Sequence, residues 1–125
     1  YAVFSECRKK GYKIITPDSP GILPSITNKS LRTIAQDMGL KVEVRPVPCT
    51  ELGEMEEVNN CGTAVVITPV YRIVDKPSLC SENITEEYIY APPGKCGRIS
   101  MEMYRHLRAI QDGDEADTHR WCLIL

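Results

Sequence analysis

The apolar residues of this chain change period along its length, and that change limits the folds open to it. Leu31, Ile34, Ala35 and Met38 follow i, i+3, i+4, i+7 spacing, and Ile99, Met103, Leu107 and Ile110 share one side of Arg98 to Asp112. Both stretches predict amphipathic helices. Gly39 and Gly113 stand where each should stop. Thr27 or Asn28 is the expected N-cap of the first. Around these helices the runs read as strands: Tyr1 to Ser5 and Tyr12 to Ile15 as a hairpin, Leu40 to Val47, Val58 to Ile67, Tyr71 to Val74, Tyr88 to Tyr90, and an edge strand at Trp121 to Leu125. Within Val58 to Ile67, Cys61-Gly62-Thr63 interrupts the strand and Val65-Val66-Ile67 forms a buried β-branched run. Proline and glycine punctuate the rest: Thr16 to Ser25 is a loop, Pro92 to Gly97 a turn, Asp75 to Thr85 irregular, and Cys49 to Glu57 a short acidic helix. Helices and strands mix without strict alternation, so the class is α/β, or α+β, with a mixed sheet.

With 125 residues the chain has the length of one domain, 1–125, and can bury a core. Its net charge of −2 offers no reason to expect nucleic acid as a partner. No apolar run approaches the roughly 20 residues of a membrane-spanning helix, and no signal-peptide pattern opens the chain. Tyr1 stands first, without Met and inside a strand-like run, which is expected of a fragment truncated at its N-terminus. The six cysteines are widely and irregularly spaced with no CxxC pair, which argues against zinc and favours reduced thiols in a cytoplasmic setting. His106 and His119 have no cysteine at metal spacing and read as a helix-surface and a tail histidine. Asn28-Lys29-Ser30 and Asn83-Ile84-Thr85 match the glycosylation sequon and carry no weight in a reduced compartment.

Two places can do chemistry. Leu23-Pro24-Ser25-Ile26-Thr27 enters a helix, whose first N–H groups and positive dipole end suit a phosphate. Cys61-Gly62-Thr63-Ala64 interrupts a strand with glycine, letting a ligand approach the backbone, and the Thr63 and Ala64 N–H groups can form an anion nest. No phosphate-loop or dinucleotide fingerprint is present, and no Ser/His/Asp or Cys/His arrangement is legible. Glu56-Glu57 and Glu86-Glu87 read as solvated acidic pairs.

In order, Ile22-Leu23-Pro24-Ser25-Ile26-Thr27, the helix after it, Val42 to Val47, Cys61 to Val70, Ile110-Gln111-Asp112-Gly113 and the late Trp121 resemble the C-terminal part of a fold-type IV pyridoxal-phosphate enzyme. More narrowly they are similar to a branched-chain amino acid aminotransferase. The likeness spans nearly the whole chain apart from Lys76 to Tyr90. It implies the large cofactor-binding domain, a mixed pseudo-barrel sheet with flanking helices. It implies that Ile26 and Thr27 grip the phosphate of pyridoxal 5′-phosphate by backbone N–H, with Gly62 and Thr63 beside it, and that the Thr63 and Ala64 N–H groups meet the substrate carboxylate. It further implies amino acid and 2-oxo acid substrates, an N-terminal domain of the same chain, and a homodimeric parent.

Two departures stand out. The family usually carries Gly where Ser25 stands, and Val65 and Thr68 replace the redox CxxC of some animal members. In the family the lysine that anchors the cofactor precedes the position of Tyr1, and none of the seven lysines here matches it. The resemblance thus implies that this segment alone is inactive, and that the parent moves the amino group of leucine, isoleucine or valine to 2-oxoglutarate. A D-amino acid aminotransferase or an aminodeoxychorismate lyase shares the phosphate motifs, and a non-catalytic domain derived from the fold is the reading from another class.

Overall fold

The computed structural model describes residues 4–5, 13–90 and 95–123. Its strands are β1 (Phe4–Ser5), β2 (Lys13–Pro17), β3 (Lys41–Arg45), β4 (Val58–Cys61), β5 (Ile67–Pro69), β6 (Arg72–Asp75) and β7 (Glu86–Ile89), with helices α1 (Ile26–Asp37) and α2 (Arg98–Asp112). Helices and a mixture of parallel and antiparallel strands confirm the mixed class.

The pairing separates the strands into three sets. β2 and β3 run parallel, Ile14 opposite Val42 and Thr16 opposite Val44, with α1 as their crossover. β1, β4 and β5 form an antiparallel sheet, and β6 and β7 an antiparallel hairpin. β1 pairs with β4, Phe4 opposite Asn59; the turn of the expected N-terminal hairpin lies outside the described residues. The short acidic helix is a 3-10 turn, Cys49–Glu54, ending before Glu57.

Neighbouring residues on a strand face opposite ways, so β2 supplies two cores. Ile14 joins Leu31, Ile34 and Ala35 of α1 and Ile99, Met103, Leu107 and Ile110 of α2. Ile15 joins Met55 and Val58 on the other side. β4 does the same: Val58 enters the second core, while buried Asn59 donates to Ser100 Oγ of α2 at 2.7 Å. Glu57, expected in a solvated acidic pair, instead accepts the N–H groups of Ile99 at 3.2 Å and Ser100 at 3.0 Å, so its carboxylate occupies the N-terminus of α2.

Three expectations are corrected. Val58 to Ile67 is not one interrupted strand: the chain reverses through 62–66, and Cys61 pairs with Ile67 across the hairpin. Val66 and Ile67 are buried, whereas Val65 is 58% exposed. Second, α1 begins at Ile26 with Ser25 as its N-cap, ahead of Thr27 and Asn28. Third, Trp121 to Leu123 form no strand. Arg120 takes a left-handed φ of 57°, Asp117 Oδ2 accepts the Cys122 N–H at 2.7 Å, and Trp121 stacks on His119 at 4.6 Å. That N–H is therefore lost to any ladder. His119 in turn pairs with Asp37 of α1 at 2.7 Å, and His106 of α2 with Glu115 at 2.9 Å. Among the described residues Cys49, Cys61, Cys80, Cys96 and Cys122 form no disulfide.

Candidate anion site at the start of α1

The parallel strand β2 ends at Pro17, and the chain then loops back over its carboxyl end to start α1. That is where parallel α/β units place ligands. The loop is held by Asp18 N–H donating to the Arg45 carbonyl at 3.0 Å and Ile22 N–H to the Ser19 carbonyl at 3.0 Å. Ser25 then caps α1 from extended geometry, φ −112° and ψ 123°. The family's usual glycine is therefore not required at this position, since no positive φ is called for.

The cap decides which N–H groups stay open. Ser25 Oγ accepts the Asn28 N–H at 3.1 Å, and the Ser25 carbonyl accepts the Lys29 N–H at 3.0 Å. The N–H groups of Ile26 and Thr27 have no acceptor among the described residues. No acidic residue sits in this first turn, so nothing of the helix's own competes for the positive end of the dipole. A cleft of about 200 Å³ adjoins it, lined by Thr16, Pro17, Ser25, Asn28, Lys29 and Arg32 among others. Arg32 Nε is buried there without a hydrogen-bond partner. Lys29 and Arg32 outnumber the one carboxylate of the lining, Asp18, and with the open amides of Ile26 and Thr27 next to the cleft they suit a phosphate dianion.

The second turn meets the first through one side chain. Asn28 Nδ2 lies 3.4 Å from Thr16 Oγ1 and 3.9 Å from Cys61 Sγ, next to Gly62. A Cβ built on Gly62 meets nothing within 4 Å, so the space beside it is open to a ligand. Thr63 and Ala64 are exposed, and their N–H groups have no acceptor among the described residues. Of the residues singled out from sequence, Ile26 and Thr27 thus offer open amides, and Gly62, Thr63 and Ala64 follow directly on the residue that Asn28 touches. Sequence reasoning missed Ser25 as the cap, although serine ranks above threonine there. It took Asn28 for a cap, although its place three residues before Leu31 puts it on the buried stripe.

The amino-transferase class IV family model matches residues 7–73, more than half of the chain. The chain belongs to the class IV aminotransferases. This class IV chain is 35% identical over 113 residues to aminotransferase atnJ of Emericella nidulans, covering 90% of itself and 31% of that protein. It is 38% identical over 108 residues to a branched-chain-amino-acid aminotransferase of Helicobacter pylori, covering 86% of itself and 28% of that protein. In fold it is similar to the branched-chain amino acid aminotransferase of Escherichia coli: TM-score 0.72, 24% identity, 96% of this chain and 35% of that one. The chain thus spans about three-tenths of the curated relatives it matches. Membership of this family implies pyridoxal phosphate as the cofactor. Among the described residues no helix is long and apolar enough to cross a membrane, and no His, Cys, Asp and Glu cluster could hold a metal.

Proposed function

We propose that this chain is the phosphate-gripping part of a branched-chain amino acid aminotransferase, which transfers the amino group of leucine, isoleucine or valine to 2-oxoglutarate. The observation that carries the reading is the pair of open amides at Ile26 and Thr27, joined by Asn28 to the strand end that leads into Gly62. On this reading Ile26 and Thr27 hold the cofactor phosphate, Gly62 lets it approach, and Thr63 and Ala64 N–H groups orient the substrate carboxylate. Bound there, pyridoxal phosphate supplies the carbonyl that takes up the amino group and a ring that stabilises negative charge at the substrate α-carbon. The protein's part is binding, orientation and charge.

Leu23, Ile26 and Val65 are 84%, 82% and 58% exposed beside the two turns. Their exposure supports a covering N-terminal domain of the same chain, which on this reading carries the catalytic lysine. The segment by itself then binds but does not transaminate. A homodimeric, cytoplasmic parent is part of the same proposal.

Leucine, D-alanine and aminodeoxychorismate assays of the full-length gene product test the reading. Leucine-dependent glutamate formation from 2-oxoglutarate is the expected result. Turnover of D-alanine or aminodeoxychorismate instead would move the protein within the family, and no amino transfer with any of them would favour a non-catalytic domain.

A further inference from the structure

We propose that Asn28 is a positioning residue that locks the Gly62–Ala64 turn against the open first turn of α1, and thereby sets affinity for the phosphoryl group. The proposal rests on the reading that these two turns hold one phosphate.

Asn28 is 6% exposed and occupies the stripe of α1 that otherwise carries Leu31, Ile34 and Ala35 into the core. A buried amide at an apolar position destabilises the fold unless its hydrogens are matched. Nδ2 carries two hydrogens, and two acceptors stand near it: Thr16 Oγ1 at 3.4 Å and Cys61 Sγ at 3.9 Å. These belong to the end of β2 and the end of β4, so one side chain ties three separate segments at the place where the open amides lie. Its own backbone is fixed by the cap, since its N–H goes to Ser25 Oγ.

Thiol sulfur is a weak acceptor. The contact with Cys61 therefore contributes more to placement than to stability. An apolar residue of similar size suits the stripe equally well for packing, so burial alone does not explain the amide. Freed of this tie, the 62–66 turn must be ordered by the ligand at each binding event, which lowers affinity without removing any N–H that touches phosphate.

The test compares pyridoxal 5′-phosphate with pyridoxal, which lacks the phosphoryl group, as ligands of the full-length gene product. Asn28→Leu is expected to lower the phosphate-dependent preference, the ratio of the two affinities, about tenfold. Cys61→Ala, which removes the sulfur acceptor and trims a side chain packed on the core, is expected to lower it in the same direction by less, and the double variant by no more than Asn28→Leu alone. A lower unfolding midpoint with an unchanged ratio in both variants would overturn the proposal and leave Asn28 as a packing residue. Equal affinity of the unsubstituted protein for the two ligands would instead sink the phosphate reading beneath it.

Discussion

The carboxylate of Glu57 accepts the backbone N–H of Ser100 at 3.0 Å, and with it the chain closes the N-terminus of α2, one of the two long helices among the described residues. The other, α1, has no acidic residue in its first turn and keeps two amides without acceptors among the described residues. The same helix-end physics is spent internally at α2 and left available at α1. That contrast singles out Ile26 and Thr27 as the anion site.

Gly97 makes the Glu57 contact possible. A Cβ there would overlap the Glu57 carboxylate, so Gly97→Ala must displace it and weaken the cap on α2. The expected cost is about 2 kcal/mol from lost charge-assisted hydrogen bonds and crowding. Urea denaturation measures it. Because both changes act through one contact, Gly97→Ala in a Glu57→Ala background should cost much less than in the native sequence.

Ser25 is expected to tolerate glycine. Its extended φ of −112° is open to any residue, and glycine replaces a serine N-cap at a cost of a few tenths of a kcal/mol, against about 1 for alanine. Both substitutions remove the Oγ that accepts the Asn28 N–H, yet Ser25→Gly should leave the unfolding midpoint nearly unchanged while Ser25→Ala lowers it. Thermal unfolding of the two variants distinguishes the cap from a need for a special backbone.

Acid should weaken the fold through Glu43. Arg45, at 2.9 Å, with Lys41 and Lys13, holds its carboxyl down to about 2 from an ordinary 4.5. Glu51 is lowered too, chiefly by its bond to Arg45. A folded-state pKa below the unfolded one contributes stability that is present above about 4.5 and is lost as pH falls toward 2. Urea midpoints taken across that window should fall in the native protein. In Arg45→Met they should start lower and fall less.

Much of the local structure is legible in residue order. The stripe of α1 and its stop at Gly39, with φ +82°, follow from helical spacing and a residue that tolerates the left-handed region. The same holds for α2 and Gly113. What spacing does not show is pairing. Cys61 to Ile67 reads as strand in either direction, so the reversal at Gly62 to Val66 looks in sequence like an interruption. The parallel match of β2 to β3 across α1 joins segments far apart in sequence. Glu57 reaches Ser100 over 43 residues and Asn28 reaches Cys61 over 33, and neither leaves a local pattern. Trp121 to Leu125 has strand-like composition, yet Arg120 takes a left-handed φ, Asp117 takes the Cys122 N–H and Trp121 stacks on His119. For the site, the amide donors are readable because they depend only on where a helix begins. The side chain that joins them to the second turn is not.

The most direct measurement is an amide NMR titration of the ¹⁵N-labelled chain with pyridoxal 5′-phosphate. The backbone signals of Ile26, Thr27, Thr63 and Ala64 should move together along one binding curve, while Ile99 and Ser100, already capped by Glu57, stay in place. Movement of one turn without the other, or of neither, would contradict a shared phosphate site.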